Sequence, residues 1–404
     1  MTVKILPSRA KGTVKAPPSK SMAHRLLICA GMADGESTVR GISASQDVLA
    51  TIECLQAMGV SVKFISDDKV KVKGVDFNKA CPTEHLNCRE SGSTIRFFVP
   101  LTALCGKEIF LNGAPTLLKR PMDVYQKLSE KHGFKFVQNE SGITVCGPLK
   151  AGTYTVPGNI SSQFITGLLL ALPQLKGDSE IDIIPPIESQ SYLNLTLSAM
   201  ECFGVKIEKM SEYNYKIKGG QKFIPQNVTV EGDFSNAAFL DGFNVIGGEV
   251  EVQGLDGGSL QGDKVYKDIY RLLESNFPII DISDCPDLGP VLFALATVKN
   301  GAVFEGTKRL RIKESDRVAA MQGELSKLGV NMISEDNRVI IPKSEIKVPT
   351  ENILGHNDHR IVMAMTLLLS IVGGTIEGAE AVNKSFPDFF SVIKSLGTGV
   401  FIDA

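Results

Sequence analysis

The chain has 404 residues, a formal net charge of −2 and eight cysteines. That length is too great for one hydrophobic core and suits two domains. The balanced charge argues against a nucleic-acid surface or a polybasic membrane patch.

The segment Met1–Pro17 reads as a strand with turns and lacks the apolar region of a signal peptide. Pro17 to Gly35, PPSKSMAHRLLICAGMADG, then reads as a helix that opens on Ser19, Lys20, Ser21, His24 and Arg25 and closes on Gly35. Its body is apolar nearly all round, so it is expected to be buried. A buried helix with Ser-Lys-Ser and Arg at its mouth suits an anion, because the free first-turn amides and the macrodipole point there.

The same pattern recurs. Apolar helices close on Gly106, Gly177, Gly248, Gly301 and Gly374, at spacings from Gly35 onward of 71, 71, 71, 53 and 73. A short strand-like run follows each (STVRGI, KEIFLNG, SEIDIIP, EVEVQGL, AVFEGT, TIEGAE), and then a more amphipathic helix. In the fourth copy Ser275-Asn276 stands where the others have Gly, and that copy owns the short spacing. A missing β-hairpin there would account for the deficit of about 18 residues.

Polar groups cluster at the helix starts. In chain order these are Lys20, Ser21 and Arg25, then Glu90-Ser91-Gly92-Ser93-Thr94 with Arg96, then Lys119-Arg120-Pro121. Next come Ser161-Ser162-Gln163, Ser189 with Tyr192, Glu231-Gly232-Asp233, and Asp284-Cys285-Pro286-Asp287. The richest is Arg309 to Arg317, RLRIKESDR, followed by Asn357-Asp358-His359-Arg360 and by Lys384-Ser385-Phe386-Pro387. Taken singly, each lysine reads as a solvated surface group and each serine as a helix cap. Their common phase in a sixfold repeat favours a site for small ligands bearing phosphate and carboxylate groups. Asp287 and Glu314 are then the acid–base candidates.

The cysteines are scattered, several of them (Cys29, Cys54, Cys105, Cys202) in apolar runs. Cys81 and Cys88 lack a CxxC partner or a histidine pair, so reduced thiols are expected rather than a zinc site. The longest apolar run, Ile361 to Val372, is too short to span a bilayer, and a compact, soluble, intracellular protein is expected.

PSKSMAHR, SGSTIR, KRP, SSQF, SQSY, EGD, CPD, RIKESDR, NDHR and KSFPDFF closely resemble, in order and over essentially the whole chain, the motifs of the 5-enolpyruvylshikimate-3-phosphate synthase family. RIKESDR with SKSxxHR and NDHR is the specific part of the match. The resemblance implies an α/β (α+β) fold of two domains, each with three βαβαββ repeats in pseudo-threefold array, an inverse α/β barrel with substrates in the interdomain cleft. One repeat would be shortened near 254–285. Residues 1–18 and 231–404 would form the phosphoenolpyruvate-side domain, and 19–230 the shikimate 3-phosphate-side domain.

By the same resemblance, shikimate 3-phosphate would be held by Lys20, Ser21, Arg25, Ser161, Ser162, Gln163, Ser189, Tyr192, Asp287 and Lys313. Phosphoenolpyruvate would be held by Lys20, Gly92, Arg120, Gln163, Glu314, Arg317, Arg360 and Lys384. The implied reaction adds the shikimate 5-hydroxyl to the enol carbon and then eliminates phosphate. Asp287 is expected as the base, Glu314 as the acid, and Lys20 or Lys313 as a helper. No metal or organic cofactor, nucleic acid or membrane partner is implied. A cytoplasmic monomer acting on small molecules is expected.

Four places depart from the best-known enterobacterial pattern. Glu90-Ser91 replaces Asn-Ala, Phe97 replaces Pro, Arg309 replaces Asn, and the fourth repeat is short. Arg309 is therefore given no substrate contact. Gly92 is retained, leaving room for phosphoenolpyruvate or the inhibitor glyphosate, so glyphosate sensitivity is expected. The rival reading, enolpyruvyl transfer to UDP-N-acetylglucosamine, usually goes with a cysteine on a loop near Arg120, and Ala114–Leu118 has none. A catalytically silent anion-binding homologue would be expected to lack Asp287 or Glu314, and a nucleotide-binding domain to carry a Walker or strand-linked GxGxxG motif.

Overall fold

The computed structural model describes residues 1–80 and 82–403; the reading made for Cys81 lies outside them. The chain divides into two compact units, Pro18–Glu231 and the discontinuous pair Met1–Pro17 with Gly232–Ala404.

Each unit holds three of the six small sheets found among the described residues. Five have four strands and one plan: a parallel pair, then two antiparallel strands. In the Pro18–Glu231 unit, one sheet runs His85–Asn87, Glu108–Asn112, Gly142–Cys146, Lys135–Asn139. Another runs Thr153–Pro157, Ser179–Ile184, Asn214–Ile217, Glu208–Lys209. The third takes its outer parallel strand, Asn227–Thr229, from the far end of the unit and sets it against Glu36–Arg40.

The other unit repeats the plan in Ile279–Asp281, Ala302–Glu305, Arg338–Ile341 and Ile333–Ser334. It repeats it again with the N-terminal strand Thr2–Leu6 lying between Gly374–Glu377 and Gly399–Asp403. The remaining sheet has two strands only, Lys11–Lys15 parallel to Glu249–Gln253. The antiparallel pair is missing there: the Tyr266–Leu272 helix passes through a short turn straight into Ile279–Asp281. The short glycine spacing thus marks a deleted hairpin, as the sequence indicated.

The repeated helices are Lys20–Met32, Gly92–Thr102, Ser162–Ala171, Phe234–Val245, Gly289–Val298 and His359–Val372. Their sides are mostly buried, most fully in Gly289–Val298, where only the last residue escapes burial, while Phe234–Val245 leaves Asn244 exposed. Each buried Leu or Phe contributes about 1.5–3 kcal/mol, so these helices are the core of each unit. The last three pack against one another in the discontinuous unit.

The helix ends differ in detail from the glycine reading. Gly106 takes the left-handed conformation (φ 67°) after a final tight turn. The first helix instead stops at Met32, because Ala33 turns extended and bridges to Phe223. The third is cut short by Pro173 and ends in a tight turn before Gly177. Among the described residues no helix is long and apolar enough to cross a membrane, and the seven described cysteines are free thiols.

The C-terminal end of the first helix rests on Gly74. A β-carbon there would lie 2.2, 2.6 and 2.8 Å from the carbonyl oxygens of Ala33, Ala30 and Gly31. Gly74→Ala is therefore expected to destabilise the Pro18–Glu231 unit by about 2–3 kcal/mol, read as a lower midpoint in thermal or urea unfolding.

Candidate active site

In the Pro18–Glu231 unit the polar groups stand at the helix mouths, as their sequence phase required. Ser19 caps the first helix, its hydroxyl accepting from the Met22 N–H (3.4 Å). Lys20 follows and pairs with Asp47 at 2.8 Å, both side chains largely buried. Arg25, one turn further on, donates to the Thr196 hydroxyl (2.8 Å), the Ser21 carbonyl (2.7 Å) and the Tyr192 carbonyl (3.0 Å). Its guanidinium also lies 5.4 Å from the Phe97 ring centre and 6.0 Å from that of Tyr192. Burial pulls its pKa down to about 10, which leaves it charged at neutral pH. Ser189, buried and left-handed at φ 62°, starts the helix that carries Tyr192. Ser21, Arg25, Ser189 and Tyr192 are thus brought together.

A second group forms where the Gly92–Thr102 and Ser162–Ala171 helices pack side by side. Ser161 caps the latter by accepting from the Gln163 N–H (3.3 Å), and Ser162 is buried beside it. Gln163 accepts from Arg96 Nη1 (2.7 Å) and donates to the Ser93 hydroxyl (2.9 Å). A β-carbon on Gly92 would stand 2.6 Å from Arg120 Nη1, so the glycine is what lets that guanidinium cross the helix mouth. Arg120 follows a short helix, Pro115–Leu118, in the segment where the rival reading looked for a cysteine.

Behind these groups runs a hydroxyl chain. Thr94 donates to Ser91 Oγ (2.7 Å), so it accepts from Thr51 (2.7 Å), which in turn accepts from His24 Nδ1–H (2.7 Å). Burial, then the charges of Lys20 and Arg25, push the His24 pKa well down, so the ring is the neutral Nδ1–H tautomer.

The discontinuous unit gathers the charges of RIKESDR, CPD and NDHR around Arg317. That guanidinium is 1% exposed and meets Asp358 at 2.8 Å, Asp287 at 2.9 Å and Glu314 at 2.6 Å. Burial opposes its charge, but the three carboxylates outweigh burial and push its pKa up. Asp287 is shared further, with Arg360 (3.0 Å) and Lys313 (3.4 Å). Burial, with Arg309 and Arg317 adding to it against Asp287, pulls Lys313 down to about 8. Lys384, nearly buried, donates to the Asn357 carbonyl at 2.5 Å.

Four residues at these sites were not singled out as functional from the sequence. Asp47 and Thr51 sit on an amphipathic helix where nothing in the local pattern marks them. Arg96 was visible in the second mouth but not as the group that orients Gln163. Asp263, a buried carboxyl that burial and then Asp287 push up to about 7 against the pull of Arg360, lies in the QGD turn of the shortened repeat. Among the described residues no three His, Cys, Asp or Glu side chains gather as metal ligands do.

Repeated α/β units with cation-rich helix mouths describe a metabolic enzyme for small, multiply anionic substrates. Residues 6–393 match the family model described as EPSP synthase (3-phosphoshikimate 1-carboxyvinyltransferase). The 3-phosphoshikimate 1-carboxyvinyltransferase of Clostridium kluyveri is 39% identical over 416 residues, covering 98% of this chain and 97% of that one. That of Clostridium novyi is 38% identical over 423 residues, with 98% and 97% covered. The EPSP synthase structure from Acinetobacter baumannii superposes over all of both chains with a TM-score of 0.82 at 23% identity, a likeness of fold. The chain belongs to the EPSP synthase family. The activity that goes with membership is 3-phosphoshikimate 1-carboxyvinyl transfer, in the shikimate pathway of aromatic amino-acid biosynthesis, with shikimate 3-phosphate and phosphoenolpyruvate as substrates.

Two outcomes are expected from the charge geometry. Arg317→Met takes away the guanidinium shared by three carboxylates and should cost the discontinuous unit ~3–5 kcal/mol, seen as a lowered urea midpoint. Arg309→Gln removes a repelling cation, so the Lys313 amine should titrate above about 8, measured as the pH dependence of its acylation rate by mass spectrometry.

Proposed function

We propose that the Pro18–Glu231 unit is the shikimate 3-phosphate side and the discontinuous unit the phosphoenolpyruvate side, each lending residues to both substrates. Lys20, Ser21, Arg25, Ser161, Ser162 and Ser189 bind the phosphate and hydroxyls of the first, Gln163 and Tyr192 line its ring, and Asp287 and Lys313 complete the set. Lys20, Gly92, Arg120, Gln163, Glu314, Arg317, Arg360 and Lys384 take the phosphate and carboxylate of the second. The cations suit this role because guanidinium and ammonium donors match both groups.

The observation that carries the chemical reading is that one guanidinium, Arg317, holds both Asp287 and Glu314 by hydrogen bonds of 2.9 and 2.6 Å. Two carboxylates are thereby fixed beside cations that an arriving phosphate also attracts. In the addition, Asp287 takes the proton of the 5-hydroxyl as its oxygen bonds to the enol carbon, and Glu314, which enters this step protonated once the substrate's anionic groups draw Arg317 from it, delivers that proton to the methylene carbon. The product is a tetrahedral, phosphate-bearing intermediate. In the elimination, the C–O bond to phosphate breaks while Glu314 takes a proton back from the new methyl group and the departing phosphate takes the proton held by Asp287, leaving the enolpyruvyl ether and returning both carboxyl groups to their starting states. Lys20 and Lys313 assist by holding the phosphates and the developing negative charge. A cytoplasmic monomer is part of this reading, and the seven described cysteines, all free thiols, suit the cytoplasm.

The test is phosphate release from phosphoenolpyruvate with either acceptor. Release is expected with shikimate 3-phosphate and not with UDP-N-acetylglucosamine, and Glu314→Gln should lower kcat by roughly two to four orders of magnitude. Saturable binding without release would instead identify a silent homologue. Gly92→Ala displaces Arg120, so it should raise KM for phosphoenolpyruvate and weaken inhibition by glyphosate while leaving KM for shikimate 3-phosphate nearly unchanged. Equal changes in the two KM values would remove Gly92 from the phosphoenolpyruvate set.

A further inference from the structure

The segment that delivers Asp358, His359 and Arg360 begins with a tight turn of unusual backbone. Asp358 N–H bonds to the Gly355 carbonyl at 2.9 Å, and the two central residues, His356 and Asn357, have φ of 50° and 51°. Positive φ at both central positions is the type I′ pattern, which glycine fills at no cost and a β-carbon does not. Both residues have a β-carbon; Asn and His tolerate the left-handed region better than most side chains, but two in succession still cost more than glycine would, so the surroundings share in holding the turn.

Its hold is Glu324. This carboxylate is 2% exposed. One oxygen lies 2.7 Å from His356 Nε2, and the other accepts from the Leu354 N–H (2.9 Å) and from Lys327 Nζ (2.8 Å). It therefore grips the chain both just before the turn and at the turn's first central residue. Burial works against its charge, but His356, Lys327 and the Leu354 N–H prevail and keep its pKa low. Glu324 stands two helical turns after Arg317 on the Arg317–Lys327 helix, hence on the same face. On the far side of the turn, the Asn357 carbonyl receives Lys384 at 2.5 Å. Asp358 caps the next helix through the Arg360 N–H (2.9 Å) and also binds Arg317 Nε (2.8 Å). A Lys327 partner alone would satisfy a structural acid; the grip on Leu354 and His356 is what a positioning role adds.

We propose that Glu324 is a positioning residue for the reaction, holding the strained Gly355–Asp358 turn so that its carbonyl places Lys384 and its end places Arg360. The inference rests on the reading that Lys384 and Arg360 hold phosphoenolpyruvate.

The experiment compares KM for each substrate, kcat and the thermal midpoint in Glu324→Gln and Glu324→Ala. Glu324→Gln should raise KM for phosphoenolpyruvate several-fold and Glu324→Ala by about tenfold or more, with KM for shikimate 3-phosphate within about twofold of the parent. Adding Asn357→Gly to Glu324→Gln should recover most of the loss, because glycine adopts the left-handed turn without being held. An unchanged KM for phosphoenolpyruvate, an equal rise in both KM values, or no recovery with Asn357→Gly would overturn the proposal. Lys384→Met is run alongside. If that enzyme keeps the parent KM for phosphoenolpyruvate, the reading of Lys384 fails and the inference fails with it. If Lys384→Met raises KM and Glu324→Gln does not, the inference alone is lost.

Discussion

A helix buried on every side can meet a ligand only at its ends. The apolar helices that form the core of each unit leave little lateral face for polar groups beyond the first two turns, and their N-termini carry the unpaired amides and the positive end of the dipole. Part of the candidate site follows from that restriction, and the rest stands on the turns and amphipathic helices between these cores, as Lys313, Glu314 and Arg317 do. Lys20, Gly92, Ser162 and Arg360 all occur in the first turn of such a helix, and Asp287 lies in the tight turn leading into another. Repeating the unit multiplies the mouths, so a fold with one simple core plan accumulates many anion-binding positions.

Cations gathered so closely would repel one another, and burying them unpaired would be costly. The protein offsets this with carboxylates placed among them. Lys20 has Asp47, Arg317 has Asp287, Glu314 and Asp358, and Asp287 also serves Lys313 and Arg360. In the function proposed above, two of these carboxylates, Asp287 and Glu314, also move protons once a phosphate or carboxylate competes for the cations. Asp263 adds a further carboxyl beside Asp287, held close to neutral pH by burial. Support extends outward through buried groups that touch no substrate in this scheme. These are the His24–Thr51–Thr94–Ser91 chain on one unit and Glu324 with its strained turn on the other.

The core plan and the positions of the mouths were legible in the sequence because both arise from local order. Apolar phase makes a buried helix, and a polar cluster just before it must lie at the mouth, whatever the helix packs against. The missing hairpin was legible for the same reason: a break in a regular spacing reports a lost element without any knowledge of contacts. Helix ends were read less well, since Ala33 and Pro173 stop their helices through a bridge to Phe223 and a missing N–H, before the glycines are reached.

The sequence by itself therefore determined the repeat, the buried helices, the deleted hairpin and the residues available for chemistry. The tertiary structure alone decided who meets whom. Asn227–Thr229 crosses the unit to pair with Glu36–Arg40, and Thr2–Leu6 inserts between Gly374–Glu377 and Gly399–Asp403. Lys20 finds Asp47, Arg96 orients Gln163, Asp358 closes on Arg317, and Glu324 grips His356. These partners are separated by 27 to 67 residues, or lie on different elements altogether. Such pairings depend on how the repeats close into a unit, which carries no local signature in either periodicity or composition.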